Sequence, residues 1–450
     1  MGMRCSLIAT IALCWLAWCN ATKAQPAAPA SDSLAVLRQA RADIAALAAP
    51  RMKGRGYVAG GYVRAAQYLR QRFAQLARQG TIKLLPPDTF SFDLNVLLQA
   101  SLRLGKQRLR LGTDFMPTPY TAPINAKLEI ADVGYGLAAD LQANNPFGKL
   151  AVVREGLPPN HGLADSLARL YRDEFYKLAL LHKAGAQAVV LLRDKKLTHA
   201  LATEFVPLPV LQVLASAWRT PKGGVPYGMT AAVNIAAKMQ SVTVQNVVAV
   251  IPARAPTDSN IIVCAHYDHL GMVRGVGGSP TIFYGANDNA SGTAFLLALA
   301  KQLQAMGSFK YNIVLLATAA EEAGLLGATH YVRRDDFKPA ATKFVLNFDL
   351  MGNGQGGMVA VGGVDYPFLY NRFVTINTRM HAVPQLRARA NAPNSDHWPF
   401  TQAGIPALFW YTEGGKPHYH DVNDRPGELS LPVFYNCLNL VGKFLQEVAQ

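Results

Sequence analysis

Cysteine is scarce in this chain. There are five in 450 residues, and three of them (Cys5, Cys14, Cys19) fall within the first twenty. The other two, Cys264 in a strand-like run and Cys437 in a C-terminal helical run, read as buried thiols rather than a disulfide, even though an exported protein would tolerate one. After residue 24 no stretch is long and apolar enough for a membrane helix. Acidic residues are also few, 29 Asp and Glu against 44 Lys and Arg, so the formal charge is +15 and the pI near 9.6. The basic residues are scattered and not interleaved with aromatics on one face. They read as a solvated basic surface, with no nucleic-acid partner. Two catalytic signatures are missing as well. There is no HExxH helix, which excludes the one-helix single-zinc arrangement, and no GxSxG elbow, which counts against an α/β-hydrolase serine enzyme.

Residues 1–24 have the layout of an export signal: Arg4, then the apolar "CSLIATIALCWLAW", then "TKA" as a small-residue cleavage site. "MGMRCS" also fits an N-myristoylation pattern, and Cys19 in "LAWC" could carry a lipid. The apolar run favours export, and Trp18 is unlike the small residue expected before a lipid-bearing cysteine. The expectation is a periplasmic or secreted protein, with a lipoprotein as the lesser reading. The Ala/Pro-rich "QPAAPASD" (25–32) is expected to be a disordered tether.

The length suggests two or three domains. Apolar spacing of three and four predicts amphipathic helices over 33–48 and 62–79. From about 90 to 240 short strand-like runs dominate ("KLEIADVGYG", "GKLAVVREG", "AQAVVLLRD"), with one helix around "EFYKLALLHKAGA". From about 244 apolar runs alternate with amphipathic helices, the pattern of an α/β sheet.

In that last part the acidic and histidine residues stand at the ends of apolar runs. "SNIIVCAHYDH" leads into His266, Asp268 and His269; "YNIVLLATAAEE" delivers Glu321 and Glu322; "KFVLNFDLMG" ends on Asp349; "IPALFWYTEGGKPHYHD" ends in a loop with His418 and His420. Asp288 in "GANDNASG" opens a buried helical run, where a plain helix cap is the simplest account. Open α/β sheets bind ligands at the carboxyl ends of their strands, so four strand ends and one helix start bring oxygen and nitrogen donors to one edge. Gathering that many carboxylates is costly without cations, and the donor set suits zinc, though manganese or cobalt would fit an oxygen-rich site. "GNGQGG" (352–357) superficially suggests a nucleotide loop, but "MVAVGG" after it reads as a strand where a helix would be needed.

Taken in order, "HYDHLG" (266–271), "GANDNASG" (285–292), "EEAGLLGA" (321–328), "NFDLMG" (347–352), "SDHWPF" (395–400) and "HYHDVND" (418–424) resemble the M28 family of dinuclear zinc aminopeptidases. The resemblance is strong over roughly 244–450 and looser over the N-terminal helices. Residues 100–240 resemble an inserted protease-associated (PA) domain. The implied organisation is a signal (1–24), N-terminal helices of the peptidase domain (25–99), a mainly-β PA insertion (100–240) and the peptidase domain proper (241–450). The implied fold class is α/β, a mixed twisted β-sheet flanked by helices.

The resemblance implies two zinc ions and peptide substrates. His266 and Asp349 would hold one ion, Glu322 and His420 the other, with Asp288 bridging. Glu321 would be the general base, and Asp268 would accept the second N–H of His266. His418 and His269 complicate the ligand count, but the spacing from His420 to Asp424 fits the family's His-x-x-x-Asp pattern. Two positions depart from the family: Asn287 stands where many members have a second Asp, and "KPHY" puts a histidine where a carboxylate is common. A carboxypeptidase or dipeptidase of the same fold, a glutaminyl-cyclase-like acyltransferase and a non-catalytic binding protein are the alternatives.

Overall fold

The computed structural model describes residues 31–450 apart from 221–225, 227, 276–278 and 417. The export signal and residues 25–30 of the tether lie outside the described residues. Ser31 and Asp32, expected in the tether, already belong to a helix, α1 (Ser31–Leu47), followed by α2 (Gly61–Arg78). Both helices fall within two residues of the predicted spans.

Among the described residues the main sheet is built from eight longer strands, β1 (Asp88–Leu104), β2 (Thr230–Ile251), β3 (Asn260–His266), β4 (Asn312–Thr318), β5 (Thr342–Phe348), β6 (Gly357–Val361), β7 (Leu386–Arg389) and β8 (Ala407–Glu413), with the two-residue strand Lys83–Leu84 also pairing with β2. Their spatial order is β1-β2-β4-β3-β5-β8-β6-β7, and the four central strands β4, β3, β5 and β8 are parallel. A parallel sheet is covered on both faces, so its strands read as continuous apolar runs. In β3, Ile261, Val263 and Ala265 join the core under α1, α2, α3 (Gly292–Met306), α4 (Pro367–Met380) and α5 (Phe434–Ala449). The alternate residues Ile262 and Cys264 point into a smaller core on the other face, with Ala328 and Phe400. Cys264 and Cys437 are both free and buried, and they lie in these two different cores, so no bridge can join them. No helix among the described residues is long and apolar enough to cross a membrane.

The expected boundaries near 100 and 240 fall inside continuous strands, not in linkers. β1 and β2 pair antiparallel from Asp88–Asn246 to Leu104–Ala231, with an irregularity between Leu97 and Gln99. Along β1, Leu94 and Val96 join the main core, while Leu97, Ala100, Leu102 and Leu104 join a second one. One stiff two-stranded ribbon therefore serves both halves. Beyond it, strands Ile124–Asp132, Leu150–Arg154, Ala188–Arg193 and Val210–Leu214 pair in parallel, with Phe115–Pro117 antiparallel at the edge. Among its described residues this region holds three helices where one was expected: Ala138–Ala143, Asp165–Arg172 and Glu174–Lys183. The missed helix 165–172 buries only Ala168 and Tyr171, so its apolar stripe is too thin to stand out in the sequence.

Candidate metal centre

The turn before α3 shows how the chain builds the site. Gly285 has φ +59°, and a Cβ there would lie 2.2 Å from the Asp288 carbonyl oxygen and 2.4 Å from the His269 ring. A Cβ on Gly292 would lie 2.4 Å from the Phe348 carbonyl oxygen. The small residues let this turn pack flush against the ends of the neighbouring strands. Helix capping falls to Asn289, whose Oδ1 accepts from the Gly292 N–H at 2.8 Å, so the Asp288 carboxylate is free for another use.

His266 ends β3, Glu321 and Glu322 follow β4, Asp349 follows β5, and His420 lies in the loop after β8. His266 Nε2 stands 3.5 Å from Asp288 Oδ1 and 3.3 Å from Asp349 Oδ2. His420 Nε2 stands 3.2 Å from both Asp288 Oδ2 and Glu322 Oε2. The two oxygens of Asp288 thus face two different donor sets. Glu321 Oε2 lies 4.0 Å from His266 Nε2. His418 faces Asp421 instead, its Nδ1 at 3.4 Å from that carboxylate. His269 stands between the two sets, with Nδ1 3.9 Å from Asp288 Oδ1, the oxygen that faces His266, and 2.7 Å from Glu322 Oε1, so His269, Asp288 and Glu322 also form a group that could hold a metal. The shorter contact is a hydrogen bond, which leaves Glu322 Oε2 turned toward His420 and makes His269 a support for that carboxylate.

The donor set fits a cation. His266 Nε2, Asp288 Oδ2 and Asp349 Oδ1 are buried and have no hydrogen-bond partner, a costly arrangement unless something positive sits among them. Proton affinities follow the same logic. Burial alone would lower the His420 pKa, but Glu322 and Asp288 overcome it and raise it to about 11. Burial pushes the Glu321 carboxyl well up, with His266 opposing and Glu322, Asp396 and Asp349 adding to the rise. Burial likewise raises Asp349, against the pull of His266.

Asp268 sits 3.8 Å from His266 Nδ1, beyond hydrogen-bond length. Its carboxylate instead accepts the Glu321 N–H at 3.1 Å, the Glu322 N–H at 3.3 Å and the Tyr57 hydroxyl at 3.1 Å, fixing the turn that carries both glutamates. Other supports have roles that the sequence does not assign. Asp424 accepts the backbone N–H groups of Asn287 (2.8 Å) and Asp288 (2.9 Å). Asn287, the departure from the family pattern, accepts the Gly352 N–H at 2.8 Å and so ties the Asp288 turn to the Asp349 loop. Ser395 donates to Asp349 Oδ2 at 3.0 Å, and Thr318 donates to Asp396.

The largest omission is Arg55, fully buried. Its guanidinium donates to the carbonyls of Tyr267, Leu47, Tyr284, Gly285 and Asp288 at 2.7–3.1 Å. Burial lowers its pKa to about 10, with Asp288 and Asp424 pulling the other way, so it stays cationic at neutral pH and offsets part of the carboxylate charge. The sequence signal was the "GRG" at 54–56. A Cβ on Gly56 would lie 2.3 Å from Gly271 Cα, so glycine is what lets this segment reach the "HYDHLG" loop. Arg55→Met is expected to cost about 3 kcal/mol or more, because five carbonyls and a group of carboxylates lose a buried charged partner. Urea unfolding checks this, and a loss below about 1 kcal/mol would mean that other donors replace the guanidinium.

Beside Asp288 a cavity of about 280 Å³ is bounded by Leu350, Tyr411, Thr412, Tyr419 and Leu429.

Residues 246–445 match the family model for peptidase family M28. The chain is 29% identical over 268 residues to aminopeptidase YwaD of Bacillus subtilis, covering 55% of this chain and 54% of that protein. It is 26% identical over 219 residues to leucine aminopeptidase 1 of Metarhizium robertsii, covering 45% and 54% respectively. The chain thus spans about half the length of these curated relatives. Among solved structures, a zinc aminopeptidase from Bacillus subtilis superposes with a TM-score of 0.71 at 21% identity, covering 92% of this chain and 95% of that one. An aminopeptidase from an Aneurinibacillus strain gives 0.64 at 20% identity, covering 92% and 94%. These likenesses establish the fold, a mixed α/β sheet flanked by helices.

Proposed function

We propose that this chain, whose residues 246–445 match the family model for peptidase family M28, is a zinc-dependent exopeptidase of that family that releases N-terminal residues from peptides. The observation that carries this reading is the division of Asp288 between two donor sets. His266 and Asp349 would hold one zinc ion and Glu322 and His420 a second, with Asp288 placed between the two donor sets. When bound, zinc supplies Lewis acidity, polarising a carbonyl and making a water acidic enough to lose a proton near neutral pH.

The rest is done by the chain's own groups. Glu321, whose carboxylate stands 4.0 Å from His266 Nε2 at the edge of the donor sets, takes the proton from the attacking water and returns it to the departing amine nitrogen. Asp268 holds the Glu321–Glu322 turn rigid, which keeps that carboxylate within proton-transfer reach. The cavity beside Asp288, at the small end of ligand-pocket sizes, takes the single terminal residue. The insertion at 100–240 is a PA domain, and the signal at 1–24 sends the protein to the periplasm or outside. The joint presence of Glu321 and all five ligands weighs against a non-catalytic binding protein, and the second donor set weighs against a one-zinc acyltransferase.

Chelation tests the metal requirement. A strong chelator is expected to abolish release of amino acids from peptides and lower the thermal midpoint, and stoichiometric zinc to restore both. Full turnover in chelator, with metal analysis showing less than one ion per chain, would refute it.

A further inference from the structure

Next to Glu322 lies a second cavity, of about 380 Å³, that shares no lining residue with the one beside Asp288. Its floor is Glu322, Ala323 and Gly324, on the turn that carries the general base. Its opposite wall comes entirely from the inserted segment, led by Tyr120, Phe175 and Phe205. Phe175 is 56% exposed and Phe205 51% exposed. Single exposed apolar residues need no explanation, but two phenylalanines lining one cavity beside a catalytic turn form a surface waiting for a partner.

That wall is held in place. The Tyr120 ring packs 4.9 Å from the Phe175 ring. The Tyr120 hydroxyl and Arg193 both donate to Glu174, immediately before Phe175, and Arg193 also donates to Gln212 at 3.2 Å. The loop leading to Phe205 is pinned at several points. The Asn95 N–H donates to the Ala202 carbonyl at 2.9 Å, and the Val206 N–H to the Tyr120 carbonyl at 2.8 Å. Lys196 donates to the Tyr419 carbonyl, and the His199 N–H lies 3.5 Å from the His420 carbonyl oxygen. Rigid aromatic groups set beside a reacting centre bind with little ordering cost.

We propose that this cavity is the subsite for the residue that follows the scissile bond, and that Phe175 and Phe205 make it select apolar or aromatic side chains. The inference rests on the exopeptidase reading above. The terminal residue occupies the cavity beside Asp288, and Glu321 must deliver its proton to the nitrogen of the departing chain. That nitrogen, and the side chain after it, therefore lies on the Glu321–Glu322 side, where the continuing peptide meets the inserted wall. Glu204 at the same cavity disfavours an acidic side chain. The insertion thus supplies part of the specificity, not only bulk around the site.

The test compares kcat/KM for Leu-Phe-Gly, Leu-Asp-Gly and leucinamide, which has no residue after the cleaved bond. The wild type is expected to favour Leu-Phe-Gly over Leu-Asp-Gly by roughly tenfold or more, the range an apolar pocket achieves. In Phe205→Ala, and separately in Phe175→Ala, the Leu-Phe-Gly to leucinamide ratio should fall by about the same factor. A flat wild-type profile, or variants that keep the wild-type ratio, would overturn the subsite while leucinamide hydrolysis left the exopeptidase reading standing. Failure of the wild type on all three substrates would overturn both.

Discussion

Asp288→Ala is expected to weaken metal binding at both positions by more than about 100-fold and to remove detectable turnover. Removing even an outer partner of a metal ligand costs roughly 10–100-fold in affinity, and here one side chain serves two donor sets. The backbone of the turn does not depend on this carboxylate. The Asp288 N–H is held by Asp424, its carbonyl accepts from Arg55, and Asn289 caps α3. The metal-free variant should therefore fold, and should resist denaturant at least as well as metal-free wild type, because one buried charge has gone from a group of like charges. Equilibrium dialysis with zinc, followed by metal analysis, reads the result. Two tightly held ions per chain in the variant would end the bridging assignment.

Glu321→Gln should behave in the opposite way. Glutamine keeps the shape of the side chain, and the backbone N–H at 321 keeps its bond to Asp268 at 3.1 Å. Metal content is expected to match wild type, while kcat falls by about 10²–10⁴, the span general acid–base catalysis supplies. A kcat within a few-fold of wild type would move the base to another residue. The pair of variants separates binding of metal from handling of the proton, two functions carried by neighbouring elements of one site.

Much of this was readable in the sequence because a buried parallel sheet writes itself plainly. "NIIVCAH" is apolar to both faces and stops at a residue of the candidate metal centre, and "NIVLLAT" before Glu321 and "KFVLNFD" at Asp349 lead to it in the same way. What escaped were partners far apart in the chain. Arg55 lies 212 residues from the Tyr267 carbonyl it binds; the flanking glycines of "GRG" mark a close approach, but the carbonyls that receive its charge come from distant segments. Asp424 stood out by its spacing from His420, but its bonds to Asn287 and Asp288 depend on a loop crossing that no local pattern encodes. Asp268 was paired with His266 on sequence grounds. The structure directs its hydrogen bonds to the Glu321–Glu322 backbone and Tyr57, because the turn after β4 brings two N–H groups closer to it than the imidazole. The ribbon of β1 and β2 explains why no linker signal marked the edges of the insertion: the chain crosses both edges as regular strand.

The most direct test of the central claim is which end of a peptide the zinc-loaded protein shortens. Three versions of one peptide are needed: one with both ends free, one acetylated at the N-terminus and one amidated at the C-terminus, each followed by mass spectrometry over time. The account predicts stepwise loss of N-terminal residues from the free and the amidated peptides, and none from the acetylated one. Loss of C-terminal residues from the acetylated peptide, with the amidated peptide left intact, would contradict it and assign this metal centre to a carboxypeptidase.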